Sequence, residues 1–255
     1  MKLDNLGVLL ITNNRSRAYL QRMVHHRLLP AFAILLDNSP GGMLPGQTSA
    51  DVSPADTREA SCAAASDRFQ LNSETLQRTL ERLEIPFTLV SSSNPNDKVV
   101  TDALRARSES YWVYSGPGGA ILSKSTLSIG KSFIHVHPGI VPRYRGSTTL
   151  YYSLLESGSC GASAIFLSAD IDAGGVIATK EFPPPADRRE IDYLYDPLIR
   201  SELLVDVLKQ YARNGSFNCT TQSGPAQTYY IMHPLLRHIC ILSNRPLSGH
   251  GANGQ

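Results

Sequence analysis

The first apolar run, Leu6-Gly7-Val8-Leu9-Leu10-Ile11-Thr12, is continuous rather than alternating and stops at Asn13 and Asn14. A run of that kind predicts a strand buried on both faces, as in a parallel sheet. From 16 to 29 the apolar residues Tyr19, Leu20, Met23, Val24 and Leu28 recur at helical spacing, with Pro30 as the expected stop before a second apolar run at 31–36. Strand, helix and strand make a βαβ unit. The stretch 37–66 has no period and is rich in Ser, Gly, Pro and Ala, and we read it as a flexible insertion, either a lid or slack surface. Order resumes at a helix carrying Leu76, Leu80 and Leu83, with Asn72 or Ser73 as its cap, followed by a strand at 85–90.

The alternation continues with a helix at 96–107, a strand at 111–114 and a sharp Gly116-Pro117-Gly118-Gly119 turn into a short helix at 121–127. Next come a strand at 131–136, a helix at 148–156, a strand at 162–167 and an extended piece at 176–180. This order predicts an α/β fold with an open, mainly parallel, Rossmann-like sheet over residues 1–182. Beyond the prolines at 183–185 the pattern changes: Asp196-Pro197 opens a long amphipathic helix at 198–211, and the remainder up to 245 reads as a short extended or hairpin appendage. Residues 246–255 read as a disordered tail.

Composition narrows the picture. The 255 residues are 42% hydrophobic and 18% charged, an ordinary globular balance that leaves out disorder, collagen-like repeats and a disulfide scaffold. A formal charge of +2 lacks the cationic excess that neutralising a nucleic acid backbone needs. The cysteines Cys62, Cys160, Cys219 and Cys240 are widely spaced and suit free thiols in a reducing compartment. With no apolar stretch near 18 residues and an N-terminal apolar run too short for a signal sequence, the expectation is a cytoplasmic protein with no membrane partner.

Three segments concentrate chemistry: the 116–119 turn, the run Phe133-Ile134-His135-Val136-His137-Pro138, and Asp170-Ile171-Asp172-Ala173-Gly174-Gly175. Each falls where a parallel sheet presents a strand's carboxyl end, so the three are expected to converge on one crevice. His135 and His137 share a face of their strand, and Pro138 leaves His137 at the rim. The residues alone leave three readings open: two imidazoles satisfying local polar groups, a metal held by His135, His137 and Asp172, or acid/base chemistry in which Asp172 fixes His137 beside a reacting carbonyl. Tyr229-Tyr230-Ile231-Met232-His233-Pro234 and His238 could close the site or form a contact between two copies of the chain. We read them as packing residues.

The stretch His137-Pro138-Gly139-Ile140-Val141-Pro142-Arg143-Tyr144-Arg145-Gly146, followed by Asp172-Ala173-Gly174-Gly175-Val176-Ile177, resembles the signature of the formyltransferases that use 10-formyltetrahydrofolate. That family includes glycinamide ribonucleotide transformylase, methionyl-tRNA formyltransferase and the sugar N-formyltransferases, and the resemblance is strong over about 110–180. It implies a catalytic set of His137, Asp172 and His135, the last standing where the family has Asn. It further implies a pterin held by Gly116, Gly118, Gly119, Ala120, Leu122, Ala169 and Asp170. An acceptor would be met by Arg143, Tyr144, Arg145 and Gly146, Arg being suited to carboxylate or phosphate. The donor is then 10-formyltetrahydrofolate, with no metal. Because only some 40 residues follow the last predicted helix, too few for a tRNA-gripping barrel, the expected acceptor is a small amine or hydroxylamine such as an amino acid or amino sugar. Rival expectations are a related one-carbon or carbamoyl-type transferase, a formyltetrahydrofolate hydrolase, a metal-dependent hydrolase, and a folate-binding protein without activity.

Overall fold

A computed structural model describes residues 1–37 and 74–243. The insertion expected at 37–66, the caps Asn72 and Ser73, Cys62 and the tail from 246 lie wholly or almost wholly outside those residues. One seven-stranded sheet organises the chain, in the order β3-β2-β1-β4-β5-β7-β8. Its strands are β1 (Lys2–Ile11), β2 (Leu29–Leu36), β3 (Phe87–Val90), β4 (Tyr111–Ser115), β5 (Ser132–His137), β7 (Cys160–Phe166) and β8 (Val176–Phe182). A two-residue strand β6 (Arg145–Gly146) pairs in parallel with β9 (Thr228–Tyr229) outside that sheet.

The first five strands in the order, β3 to β5, pair in parallel, while β5 with β7 and β7 with β8 run antiparallel. The mainly parallel α/β sheet is therefore present, with an antiparallel edge. The connection at 167–175 explains part of this edge, because it is shorter than the dozen or so residues that a parallel crossover needs. The Asp172 loop consequently follows an antiparallel strand. Phe166 is level with Ile134 and Ser163 with His137, so the loop leaves the sheet on the opposite side from the end of β5 and must fold back to reach it. The three chemical segments do not share one edge of parallel strand ends as expected.

Alternating residues of the central strands enter two cores. Val8 and Leu10 face one side, with Tyr19, Leu20 and Met23 of α1 (Asn14–His25) and Leu203, Leu204, Val207 and Leu208 of α6 (Asp196–Asn214). Leu9, Ile11, Ile34, Trp112 and Phe133 face the other, with Val100 and Leu104 of α3 (Lys98–Arg105). Within 183–243, α6 is thus a layer of the main core, and Met232 and Cys240 further on also enter it. A 3₁₀ turn, Arg188–Glu190, and a π-helical turn, Ile191–Tyr195, lead directly into α6. The last described element is also helical: α7 (Pro234–Leu242) stands where an extended or hairpin piece was expected, with Pro at its first turn, where a missing N–H is harmless.

Two local expectations change as well. Pro30 does not stop α1, which ends at His25 with Arg27 in the left-handed region at φ 57. Pro30 sits inside β2 opposite Leu3, in a stretch where β3 has not yet begun to pair, so no ladder is interrupted. The helix α2 (Leu76–Arg82) is capped by Thr75, whose hydroxyl oxygen accepts from the Arg78 N–H at 3.2 Å. A short α4 (Lys124–Leu127) and α5 (Thr149–Glu156) complete the described helices.

Candidate active site

Strand alternation places His135 and His137 on one face of β5 while Ile134 and Val136 enter the core behind it. The two rings lie 6.4 Å apart by centroid, and the Tyr114 ring is 6.4 Å from His135. His137 is only 2% exposed, so it lies beneath the surface rather than at the rim that Pro138 suggested. Its Nδ1 stands 3.2 Å from Asp172 Oδ2, its Nε2 is 2.7 Å from the Tyr144 carbonyl oxygen, and Thr149 Oγ1 is 3.4 Å from Nε2. Both ring nitrogens face oxygen acceptors, so both contacts are made in full only by the doubly protonated ring. Burial drives the His137 pKa down, while the Asp172 carboxylate and the Tyr144 carbonyl favour the charged form. Burial prevails, and the His137 pKa lies below the ordinary histidine value.

Asp172 is held as firmly as the ring it meets. Its Oδ2 also accepts from the Gly146 N–H at 2.9 Å, and its backbone adopts φ 48, a left-handed conformation unusual outside glycine. Gln222 fixes the loop from the far side: its side-chain N–H groups donate to the carbonyls of Asp172 at 2.7 Å and Gly174 at 2.8 Å. The Gln222 Oε1 in turn accepts from Arg145 Nε at 3.0 Å and Nη2 at 2.6 Å. At Gly174 a Cβ would lie 1.8 Å from the Phe166 carbonyl oxygen, and at Gly146 it would lie 2.1 Å from that of Tyr229, with φ 94. These glycines allow the loops to close on one another.

The expected acceptor residues mostly serve this architecture. Tyr144 is buried with its hydroxyl on Glu156 Oε2 at 3.0 Å, Arg145 is bound to Gln222, and Gly146 donates to Asp172. Arg143 is the exposed member and pairs with Glu156 at 3.6 Å. Among the expected pterin residues, Gly116 is pressed against the Tyr114 hydroxyl, 2.1 Å from where a Cβ would stand, and Leu122 is buried in the second core. Gly119 has φ 76 and open space around it. Gly118, Ala169 and Asp170 are exposed, and Ala120 is partly so. Within the packing segment, Tyr229 and Met232 are buried, while Tyr230 and Ile231 are 80% and 81% exposed.

Sequence reasoning missed Gln222, Thr149 and a buried cationic group. Arg200 of α6 is 4% exposed, with Nη1 3.2 Å from Asp196 Oδ2 and Nη2 3.5 Å from His135 Nε2. Arg15 donates from Nε to Ser115 Oγ at 2.9 Å and from Nη2 to the Gly116 carbonyl. Burial, followed by the charges of Arg200 and Arg15, holds His135 well below the ordinary histidine value. The signal for Arg200 was present as an arginine on the inward face of an amphipathic helix. Gln222, in a segment without period, offered none.

His135, His137 and Asp172 each bring a ligand atom within 4.8 Å of the others, the donor set of a two-histidine, one-carboxylate metal centre. The surroundings fit a metal poorly. Both nitrogens of His137 are engaged by the protein, and the Arg200 guanidinium stands beside His135 where a second cation would be repelled.

No family model matches the chain. In sequence it is 34% identical over 101 residues to the methionyl-tRNA formyltransferase of Chloroflexus aurantiacus, a stretch covering 37% of this chain and 32% of that protein. It is 30% identical over 145 residues to that of Herpetosiphon aurantiacus, covering 56% and 46%. The chain thus spans about a third to a half of the length of the curated relatives it matches. In structure it resembles a sugar N-formyltransferase from Shewanella sp FDAARGOS_354 with a TM-score of 0.55 at 14% identity, over 93% of this chain and 86% of that one. Glycinamide ribonucleotide transformylase 1 from Symbiobacterium toebii gives 0.52 at 14% identity, over 82% and 87%. An N-formyltransferase from Helicobacter canadensis, in a complex with folinic acid and dTDP-3-aminofucose, gives 0.54 at 14%, over 89% and 70%. By its fold over most of its length, and by its sequence over the shorter matched stretch, the chain resembles the formyltransferase family.

Proposed function

We propose that this protein transfers a formyl group from 10-formyltetrahydrofolate to the amine of a small acceptor. The observation that carries the reading is the His137–Asp172 pair at 3.2 Å, set on the same strand face as His135, in a chain of the formyltransferase fold. Folate is supported by the folinic acid bound to the structurally similar Helicobacter canadensis protein, and a small amine by the amino sugar nucleotide in that same complex. The folate supplies an activated formyl carbon. His135 offers a donor to the formyl oxygen, where negative charge develops. As the acceptor nitrogen bonds to the formyl carbon and the bond to the donor nitrogen breaks, the amine loses one proton and the leaving nitrogen gains one. Asp172 is placed to accept and return that proton, with His137 holding the carboxylate in position.

The reading is tested by following tetrahydrofolate release with pooled amines, alongside titration with folate analogues. Amine-dependent release supports it. Folate binding without turnover leaves a binding protein, release without an amine leaves a hydrolase, and activity that tracks stoichiometric zinc or iron replaces the reading with a metal enzyme.

A further inference from the structure

We propose that Arg200 is a positioning residue that fixes the single proton of His135 on Nδ1, so that the imidazole serves as a neutral N–H donor. A guanidinium has five N–H groups, no acceptor, and no accessible neutral form. The nitrogen facing it, Nε2 at 3.5 Å, must therefore be the bare one, and the ring proton falls to Nδ1. Arg200 is suited to the task because it cannot drift: it is 4% exposed and tied through Nη1 to both carboxylate oxygens of Asp196, at 3.2 and 3.3 Å.

The other end of the ring completes the case. His135 Nδ1 is buried, and the Tyr114 carbonyl lies close enough to favour a protonated ring. A buried N–H is kept where an acceptor is in reach, and the Tyr114 backbone carbonyl supplies one for this ring while Arg200 bars Nε2. Arg15, Arg200 and His137 surround the ring with positive or potentially positive groups, which keeps a second proton away. His135 thus presents what a side-chain amide would present, one neutral donor. An unassisted histidine could offer that nitrogen in either of two tautomers.

That this donor meets the formyl oxygen rests on the proposed function; the tautomer does not. The wild-type protein, labelled with ¹⁵N-histidine, gives the tautomer directly: a protonated-type Nδ1 and a bare-type Nε2 for His135 at neutral pH. A proton on Nε2, or on both nitrogens, overturns the proposal whatever the activity. Arg200→Met should release the constraint and move the proton toward Nε2, with turnover falling about 10²- to 10³-fold, the scale for losing one oxyanion donor. Adding His135→Asn to Arg200→Met should restore the turnover of His135→Asn alone, because an amide needs no partner to choose its donor. An equal loss from Arg200→Met in both backgrounds would make Arg200 merely structural. Should Arg200→Met not fold, Arg200→Lys, which keeps a donor of the same charge, must retain the wild-type tautomer. If the tautomer is as stated but no amine turns over, the function fails and this inference stands.

Discussion

Asp172 joins the two halves of the site, accepting from Gly146 N–H and from His137 through one oxygen. Asp172→Asn replaces a charged acceptor with a neutral amide of the same shape. Turnover should fall at least about a hundredfold while a folate analogue still binds with nearly unchanged affinity, since acid/base groups contribute on that scale. Unaltered turnover would remove the carboxylate from the chemistry. His135 carries a second consequence, visible in stability. Unfolded, its ring takes a proton near 6.5; folded, burial and the two arginines hold its pKa well below that. The unfolded state therefore binds the extra proton first, and stability falls with pH below about 6.5, by up to about 1.4 kcal/mol per pH unit from this group, until the folded value is reached. Denaturant unfolding at pH 7.5 and 5.5 should show a smaller loss in His135→Asn than in the wild type.

At the scale of elements, the Asp172 loop is shaped by the carbonyl of Phe166 and by the Gln222 side chain. Gly174→Ala would push a methyl to within 1.8 Å of that carbonyl, and rigid backbone cannot yield cheaply. We expect a loss of about 1–3 kcal/mol, the usual range for overpacking, read as a lower unfolding midpoint. Gln222→Ala leaves the Asp172 and Gly174 carbonyls and the Arg145 guanidinium without their shared partner, with a loss of about 1–3 kcal/mol. Its turnover should drop as well, because the loop it secures presents Asp172. A variant with normal turnover would show that the loop holds its shape without this clasp.

These elements differ in how far the residues announced them. The runs at 6–11 and 31–36 are apolar on both faces and read directly as interior strands, and the histidine pair with its distant Asp172 was legible from motif spacing. What remained hidden was non-local. The antiparallel edge follows from where β7 pairs, which periodicity does not encode. The helix α7 was hidden by its length and by Pro234, which reads equally as a breaker and as a first-turn residue. Gln222 acts through backbone carbonyls far away in sequence, and such partners leave no local trace.

For the whole molecule, α6 binds the chain together: it packs against α1 and against β7 and β8, and it carries Arg200 toward His135. Leu204, fully buried in the core that α6 shares with the sheet, is a direct probe of that layer. Leu204→Ala should cost about 2–5 kcal/mol in chemical denaturation, the range for truncating a core leucine. A loss well under 1 kcal/mol would mean that α6 rests on the sheet loosely. Among the described residues no helix is long and apolar enough to cross a membrane.

The small parallel ladder between Arg145–Gly146 and Thr228–Tyr229 has a bearing on biosynthesis. The backbone that offers its N–H to Asp172 is braced by residues emerging more than eighty positions later, and Gln222 arrives only shortly before them. All seven strands of the sheet precede these residues in the chain, yet the segment that meets the His137–Asp172 contact is braced only by them. A chain interrupted before that point would lack both the Gln222 clasp on the Asp172 loop and the ladder that braces Gly146.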